Sequence, residues 1–354
     1  MGVLYTISVD YFKLPRADYA KVFSTSLIIP AVFSLLLVPV LYSLQGILAA
    51  AFSFDPSFVW LIPFCLFLNF CFEAFIILVR NQNNIRLFTI VSFLKAGIEI
   101  ALSIVLIVWL YQSWYSRALA FFIAGLAVAG LFFYHTHRHH YLTGSISTKI
   151  LRKELYFGLS GMVLQTAIFF INTSDKFFVM SFFGKEQAGF YAVAGTFATI
   201  QYIVCVSLLQ YLQPVLFSGY AAGKRWHDVK QLFYKYFGAM TIAFVAVNAF
   251  TVIVYRYMLP VAYGEHLHYF YLLSVSSFLW TIANIFLQFI VFEKNKRVLV
   301  QISVSVIVAA IGINYFSAEF IGITGVAAGQ LLTNMIVIGM LLLYNKKLQF
   351  FRLR

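Results

Sequence analysis

The 354-residue sequence predicts an all-α polytopic membrane protein with about ten transmembrane helices, arranged as four spans and then six. Three observations carry this reading. Apolar residues make up 62% of the chain and charged residues 10%, a balance that lipid solvates and few water-facing surfaces could. Ten apolar runs approach the roughly 20 residues that a spanning helix needs. Lys and Arg alternate from one connection to the next, as they do when loops fall on opposite sides of a bilayer.

The runs lie near residues 22–43, 58–79, 87–110, 118–133, 156–178, 190–212, 237–254, 269–292, 298–315 and 322–344. The fourth and ninth are short. Counted by alternate connections, twenty basic residues fall on one side, from Lys13, Arg16 and Lys21 through Arg80, Arg86, Arg138 and Arg152 to Arg354. The other side holds three, Arg117, Lys185 and Arg256, and Lys95 and Lys176 remain within spans. The positive-inside rule then puts both termini in the cytoplasm. This placement accounts for the formal charge of +13 without nucleic acid. Trp60, Trp109, Tyr111, Trp114 and Tyr115 gather at predicted outer ends, where amphipathic rings suit the headgroup layer.

The connections at 134–155 and 213–236 are the longest on the basic side. The first contains HTHRHH at 135–140 and divides the chain into a lobe at 1–150 and a lobe at 151–354. Cys65, Cys71 and Cys205 lie in apolar runs and form no disulfide framework or metal spacing. No phosphate loop, nucleophile elbow or metalloprotease motif occurs, so no catalytic group, metal or cofactor is assigned.

Charge within a span is costly and marks a candidate site. In the third run Ser92, Lys95, Glu99 and Ser103 share one helical face, with Lys95 and Glu99 at i,i+4 where they can pair. At 1.5 Å per residue, Glu99 lies about 18 Å in from Leu87, near mid-bilayer. The second run carries Asn69, Glu73 and Arg80 on one face, and Arg80 can snorkel to the surface. In the fifth run Gln165, Asn172 and Lys176 share a face while Asp175 points about 100° away. An interfacial pair that anchors the helix end is the plain alternative for Asp175 and Lys176. A polar turn, Gly184-Lys185-Glu186-Gln187, follows. The eighth run has an uncharged stripe of Ser277, Thr281, Asn284 and Gln288, which could line a sugar path, with Asn284 and Gln288 as substrate-binding candidates, and which reads first as interhelical packing. Gly325 and Gly329 in the last run form a small-xxx-small pair that reads the same way. Pro30, Pro39 and Pro63 interrupt the first two runs.

From Tyr156 to Ile200 the sequence reads YFGLSGMVLQ…INTSDKFFVMSFFGKEQAGFYAVAGTFATI. From Ile311 to Lys347 it reads IGINYFSAEFIGITGVAAGQLLTN…NKK. These stretches resemble the polysaccharide flippases of the MOP (multidrug/oligosaccharidyl-lipid/polysaccharide) exporter superfamily. The first has a Tyr-Gly entry, an Asp-Lys pair late in the span, a Gly turn and a Gly-x-Tyr opening. The second has an Asn-containing penultimate span, a Gly-Ile-x-Gly-x-Ala-Ala turn and a Lys-rich tail. The resemblance implies a MATE-like fold of two lobes around a cavity. It also implies flipping of an undecaprenyl-pyrophosphate-linked oligosaccharide, such as an O-antigen or lipopolysaccharide precursor, across the bacterial cytoplasmic membrane by alternating access. Its implied partners are the lipid-linked oligosaccharide, membrane lipid, H⁺ or Na⁺ as coupling ion, and other polysaccharide-assembly membrane proteins. The family has twelve or more spans, so the first two helices are expected to be missing here. An ion-coupled small-molecule exporter and a truncated, inactive copy are the alternatives.

Overall fold

The computed structural model describes residues 2–52, 59, 61–110, 113–143, 146–222 and 226–347. Eleven helices follow one another among the described residues: α1 (Gly2–Lys13), α2 (Arg16–Phe52), α3 (Leu61–Asn81), α4 (Ile85–Leu110), α5 (Ser113–Arg138) and α6 (Thr148–Ala221). Then come α7 (Trp226–Tyr257), α8 (Val261–Gly264), α9 (Leu267–Glu293), α10 (Lys296–Phe320) and α11 (Ile323–Lys347). No strand occurs among the described residues. Nine of these helices are long and apolar enough to cross a membrane.

One of the nine is α6. Its 74 residues would extend about 110 Å as a single rod, several times the roughly 30 Å of a hydrocarbon core. The chain reverses at Gly184, with φ 81° and ψ 179°, a region open essentially to glycine alone. Two contacts prove the reversal. The Tyr191 hydroxyl reaches Asp175, sixteen residues earlier, and Lys176 lies across Gly195. In a continuous helix the first pair would stand about 24 Å apart. Eight single crossings and the two arms of α6 (148–183 and 185–221) make ten, the number read from the apolar runs. The anticipated four-residue turn contracts to Gly184 alone, because Lys185, Glu186 and Gln187 are good helix formers and start the second arm.

Helices α5 and α10 run 26 and 25 residues, well beyond the short apolar runs that announced them. In α5 the extension includes His135, His137 and Arg138, which were read as linker. The helix closes at His140, in the left-handed region at φ 56°, with the Tyr141 amide donating to the Thr136 carbonyl five residues back. Trp60 and Tyr111, and the side chains of Trp114 and Tyr115, lie outside the described residues. Trp109 is exposed.

The chain divides into two compact units, residues 1–158 and 159–354. In the first, α1 lays its buried residues on α2 and α3, and Ile7, Phe23, Phe75, Leu78 and Phe132 close the core. In the second, one cluster gathers Tyr191, Tyr255, Phe270 and Val326, and another gathers Cys205, Leu212, Met240 and Ile285. Large apolar side chains such as Leu35, Leu36, Ile47 and Phe93 stand exposed, as lipid-solvated surfaces do. The three cysteines are free.

Candidate functional site

In the first unit α3 and α4 carry charges of alternating sign that act on one another at a distance. Arg80 acts on Glu73, Glu73 on Lys95, and Lys95 is also acted on by Glu99. Lys95 is buried and its ammonium donates to Asn69 Oδ1 at 3.2 Å. The same ammonium sits over the Phe72 ring at 3.9 Å and the Phe121 ring at 5.1 Å. A desolvated cation on an aromatic face gains about 2 kcal/mol, which offsets part of its burial cost. The ammonium therefore turns to the α3 amide and two rings, and Glu99, half-buried one turn away, acts on it at longer range. Arg80 does not simply escape to solvent, since its Nε is buried and lacks a partner.

In the second unit Asp175 is buried, with 2% of its surface exposed. Its Oδ2 accepts from the Tyr191 hydroxyl at 3.0 Å, while Oδ1 is buried without a hydrogen-bond partner. Two amides reach the same turn of α6. Asn314 Nδ2 donates to Ser174 Oγ at 2.9 Å, and Gln330 Nε2 donates to the Ile171 carbonyl at 2.6 Å. The oxygens of both amides, Asn314 Oδ1 and Gln330 Oε1, are buried and unpartnered. Each of these acceptors, on α6, α10 and α11, is buried without a donor, a cost that a cation or proton would relieve. Beside them Lys176 is half-buried and Asn172 is exposed.

Two members of the predicted stripe on α9 make hydrogen bonds to protein groups. Asn284 donates to the Trp280 carbonyl of its own helix, and Gln288 accepts from Gln213 of α6 at 2.7 Å. Nearby, Gln201, Asn248 and Ser274 bond one another across α6, α7 and α9. Among the described residues no three His, Cys, Asp or Glu side chains are placed to hold a metal ion.

Sequence reasoning located Lys95, Glu99, Glu73, Arg80 and Asp175 by their charge. It missed the partnerships with Tyr191, Phe72 and Phe121, which depend on which helices meet. Tyr191 carried a signal nonetheless, as the tyrosine that opens the run after the turn.

The polysaccharide biosynthesis protein family matches residues 5–271. A search of curated proteins gave no match. Among solved structures, the chain is similar to a mutant of the Vibrio cholerae MATE transporter VcmN, with TM-score 0.77, 14% identity, and coverage of 98% of this chain and 84% of that one. It is equally similar to a MOP superfamily transporter from Pyrococcus furiosus, with TM-score 0.77, 14% identity, and coverage of 98% and 83%. An outward-facing multidrug resistance MATE family transporter gives TM-score 0.72 at 16% identity, with 98% and 82% covered.

Proposed function

The chain belongs to the polysaccharide biosynthesis protein family and has the MATE-type fold of a multi-pass membrane transporter, and from that premise we propose that it flips a lipid-linked oligosaccharide of the undecaprenyl-pyrophosphate type. The direction is from the cytoplasmic to the outer leaflet of the bacterial inner membrane, with both termini in the cytoplasm. The two lobes, 1–150 and 151–354, alternate access between the faces.

The observation that carries this reading is the buried Lys95 among charges of alternating sign. A membrane helix keeps an ammonium near mid-bilayer at a cost of several kcal/mol, which a substrate phosphate repays. Lys95 and Arg80 hold the pyrophosphate, and Glu73 and Glu99 balance them when the site is empty. Within the second lobe, Lys176, Asn172, Asn284 and Gln288 are further substrate-binding candidates. Asp175, with the free oxygens of Asn314 and Gln330, binds the coupling ion, H⁺ or Na⁺. Other polysaccharide-assembly membrane proteins supply the substrate and consume the product.

The second reading, an ion-coupled small-molecule exporter, is favoured by the likeness to multidrug transporters. Deleting the gene separates the two. Loss of surface glycan with accumulation of its lipid-linked precursor supports the flippase. Normal glycan with altered drug sensitivity supports the exporter.

A further inference from the structure

Asp175 is sealed inside the second unit, yet a row of titratable and hydroxyl groups leads away from it toward the ends of α9 and α11. The Tyr191 hydroxyl bonds the carboxylate. The Tyr269 ring lies 5.9 Å from the Tyr191 ring. The Tyr269 hydroxyl is hydrogen-bonded to Thr324, and Thr324 Oγ1 stands 3.5 Å from His268 Nε2. His268 is exposed, Tyr269 is buried and Tyr191 is fully buried. The row therefore begins at the surface and ends on the carboxylate.

The tautomer of His268 gives the row a direction. Its Nδ1 faces the Glu265 carbonyl at 3.2 Å, and a carbonyl can only accept, so Nδ1 carries the hydrogen. The free lone pair of the neutral ring is then on Nε2, which faces Thr324. A proton taken from water lands on Nε2, at the head of the row. Thr324 is exposed like His268, and inward of it the surrounding rings screen Tyr269 from water. His266 stacks on Tyr269 at 5.5 Å and 7°, and packs at 4.3 Å on Phe190, which also meets Tyr263. The titratable groups against the path are Lys176 beside Asp175, Tyr191, His266 and Tyr263. Glu265 turns its backbone carbonyl to His268.

The geometry points to a proton-entry path from the extracytoplasmic face, His268 to Thr324 to Tyr269 to Tyr191 to Asp175. It rests on the transport reading above and identifies the coupling ion of that site as H⁺. The protonated Nε2 gives its proton to the Thr324 oxygen, and Thr324 gives its own to Tyr269. Tyr269 passes one on to the neighbouring Tyr191, whose own proton moves to Asp175 Oδ2. Each hydroxyl gains one proton and loses one. At the end His268 is neutral and Asp175 is a carboxylic acid.

The test uses the full chain in right-side-out vesicles given an external acid jump, with time-resolved infrared detection of the carboxylic C=O band. The band belonging to Asp175 is the one absent in Asp175→Asn. His268→Ala should slow its appearance at least about tenfold while leaving its final amplitude unchanged, and external imidazole should restore the rate. Thr324→Val and Tyr269→Phe should slow it without rescue by imidazole. A wild-type rate in His268→Ala, slowing that imidazole does not relieve, or no band that depends on Asp175 would overturn the path. Flipping of a fluorescent polyprenyl-diphosphate oligosaccharide is followed in the same vesicles. Protonation through His268 without flipping rejects the transport reading and leaves the path standing. Flipping with protonation indifferent to His268 rejects the path alone.

Discussion

Lys95 is the residue at which structure and function meet. Its ammonium is wrapped by Phe72, Phe121 and Asn69. A methionine would fill the same slot without a charge to desolvate, but it leaves Glu73 and Glu99 without their cation, and removing one partner of a buried charge network costs about 3–5 kcal/mol. Lys95→Met should therefore lower the melting temperature, whereas Glu73→Gln combined with Lys95→Met should recover much of it; both should cut flipping at least about tenfold, a loss of about 1.4 kcal/mol or more in transition-state stabilisation. Parallel melting and transport assays check this, and a purely structural network predicts that the double variant recovers flipping together with stability. Asp175→Asn retains an oxygen to accept from Tyr191, so it should fold normally and lose ion-coupled transport. A fall in thermal stability with transport intact would assign Asp175 a purely structural role. Charges such as Lys95 and Asp175 were legible in the sequence because a charged side chain in an apolar run is costly and stands out from its neighbours. Tyr191, Phe72 and Phe121 were not, because a ring in an apolar run looks like any other packing residue until its neighbour helix is known.

Among the elements, α6 depends most on one backbone position. Gly184 alone reverses the chain, at a φ and ψ that a Cβ makes costly. Gly184→Ala should destabilise the protein by about 1–3 kcal/mol, read as a lower melting temperature in detergent, even though a Cβ there would meet no atom within 4 Å. An unchanged melting temperature would mean the turn has another solution. The approach of α10 and α11 depends on Gly329 instead for room: a Cβ there would lie 2.9 Å from Ser317 Oγ and 3.0 Å from Ile313 Cγ2. Gly329→Leu should separate these helices at a cost of about 1–3 kcal/mol, again measured by melting. The small-xxx-small spacing announced this contact. The hairpin was announced by a polar interruption, but its compression to one residue was not, since only backbone geometry distinguishes a one-residue reversal from a four-residue loop. The lengths of α5 and α10 escaped for a related reason: hydropathy ends where polar residues begin, while a helix continues until something caps it, as His140 does for α5.

At the scale of the whole molecule, ten crossings and the twenty-to-three division of basic residues describe one topology. Single cysteines at His137 and at Tyr263 should react with a membrane-impermeant thiol reagent from opposite sides of intact cells, the second from outside. Reaction of both from the same side would break the alternation. The number of spans was legible because hydrophobic thickness fixes helix length. The meeting of Asn314 and Gln330 with Ser174 and Ile171 of α6 was not, because it is a property of tertiary packing rather than of any one run. The transport reading itself is tested most directly by the purified full chain in proteoliposomes carrying a fluorescent undecaprenyl-diphosphate oligosaccharide, with inner-leaflet probe protected from an external quencher. The account requires the protected fraction to fall with time in vesicles containing the wild-type chain and to remain as high as in empty liposomes with Lys95→Met. A protected fraction that stays constant with the wild-type chain, or falls equally fast with Lys95→Met, would contradict it.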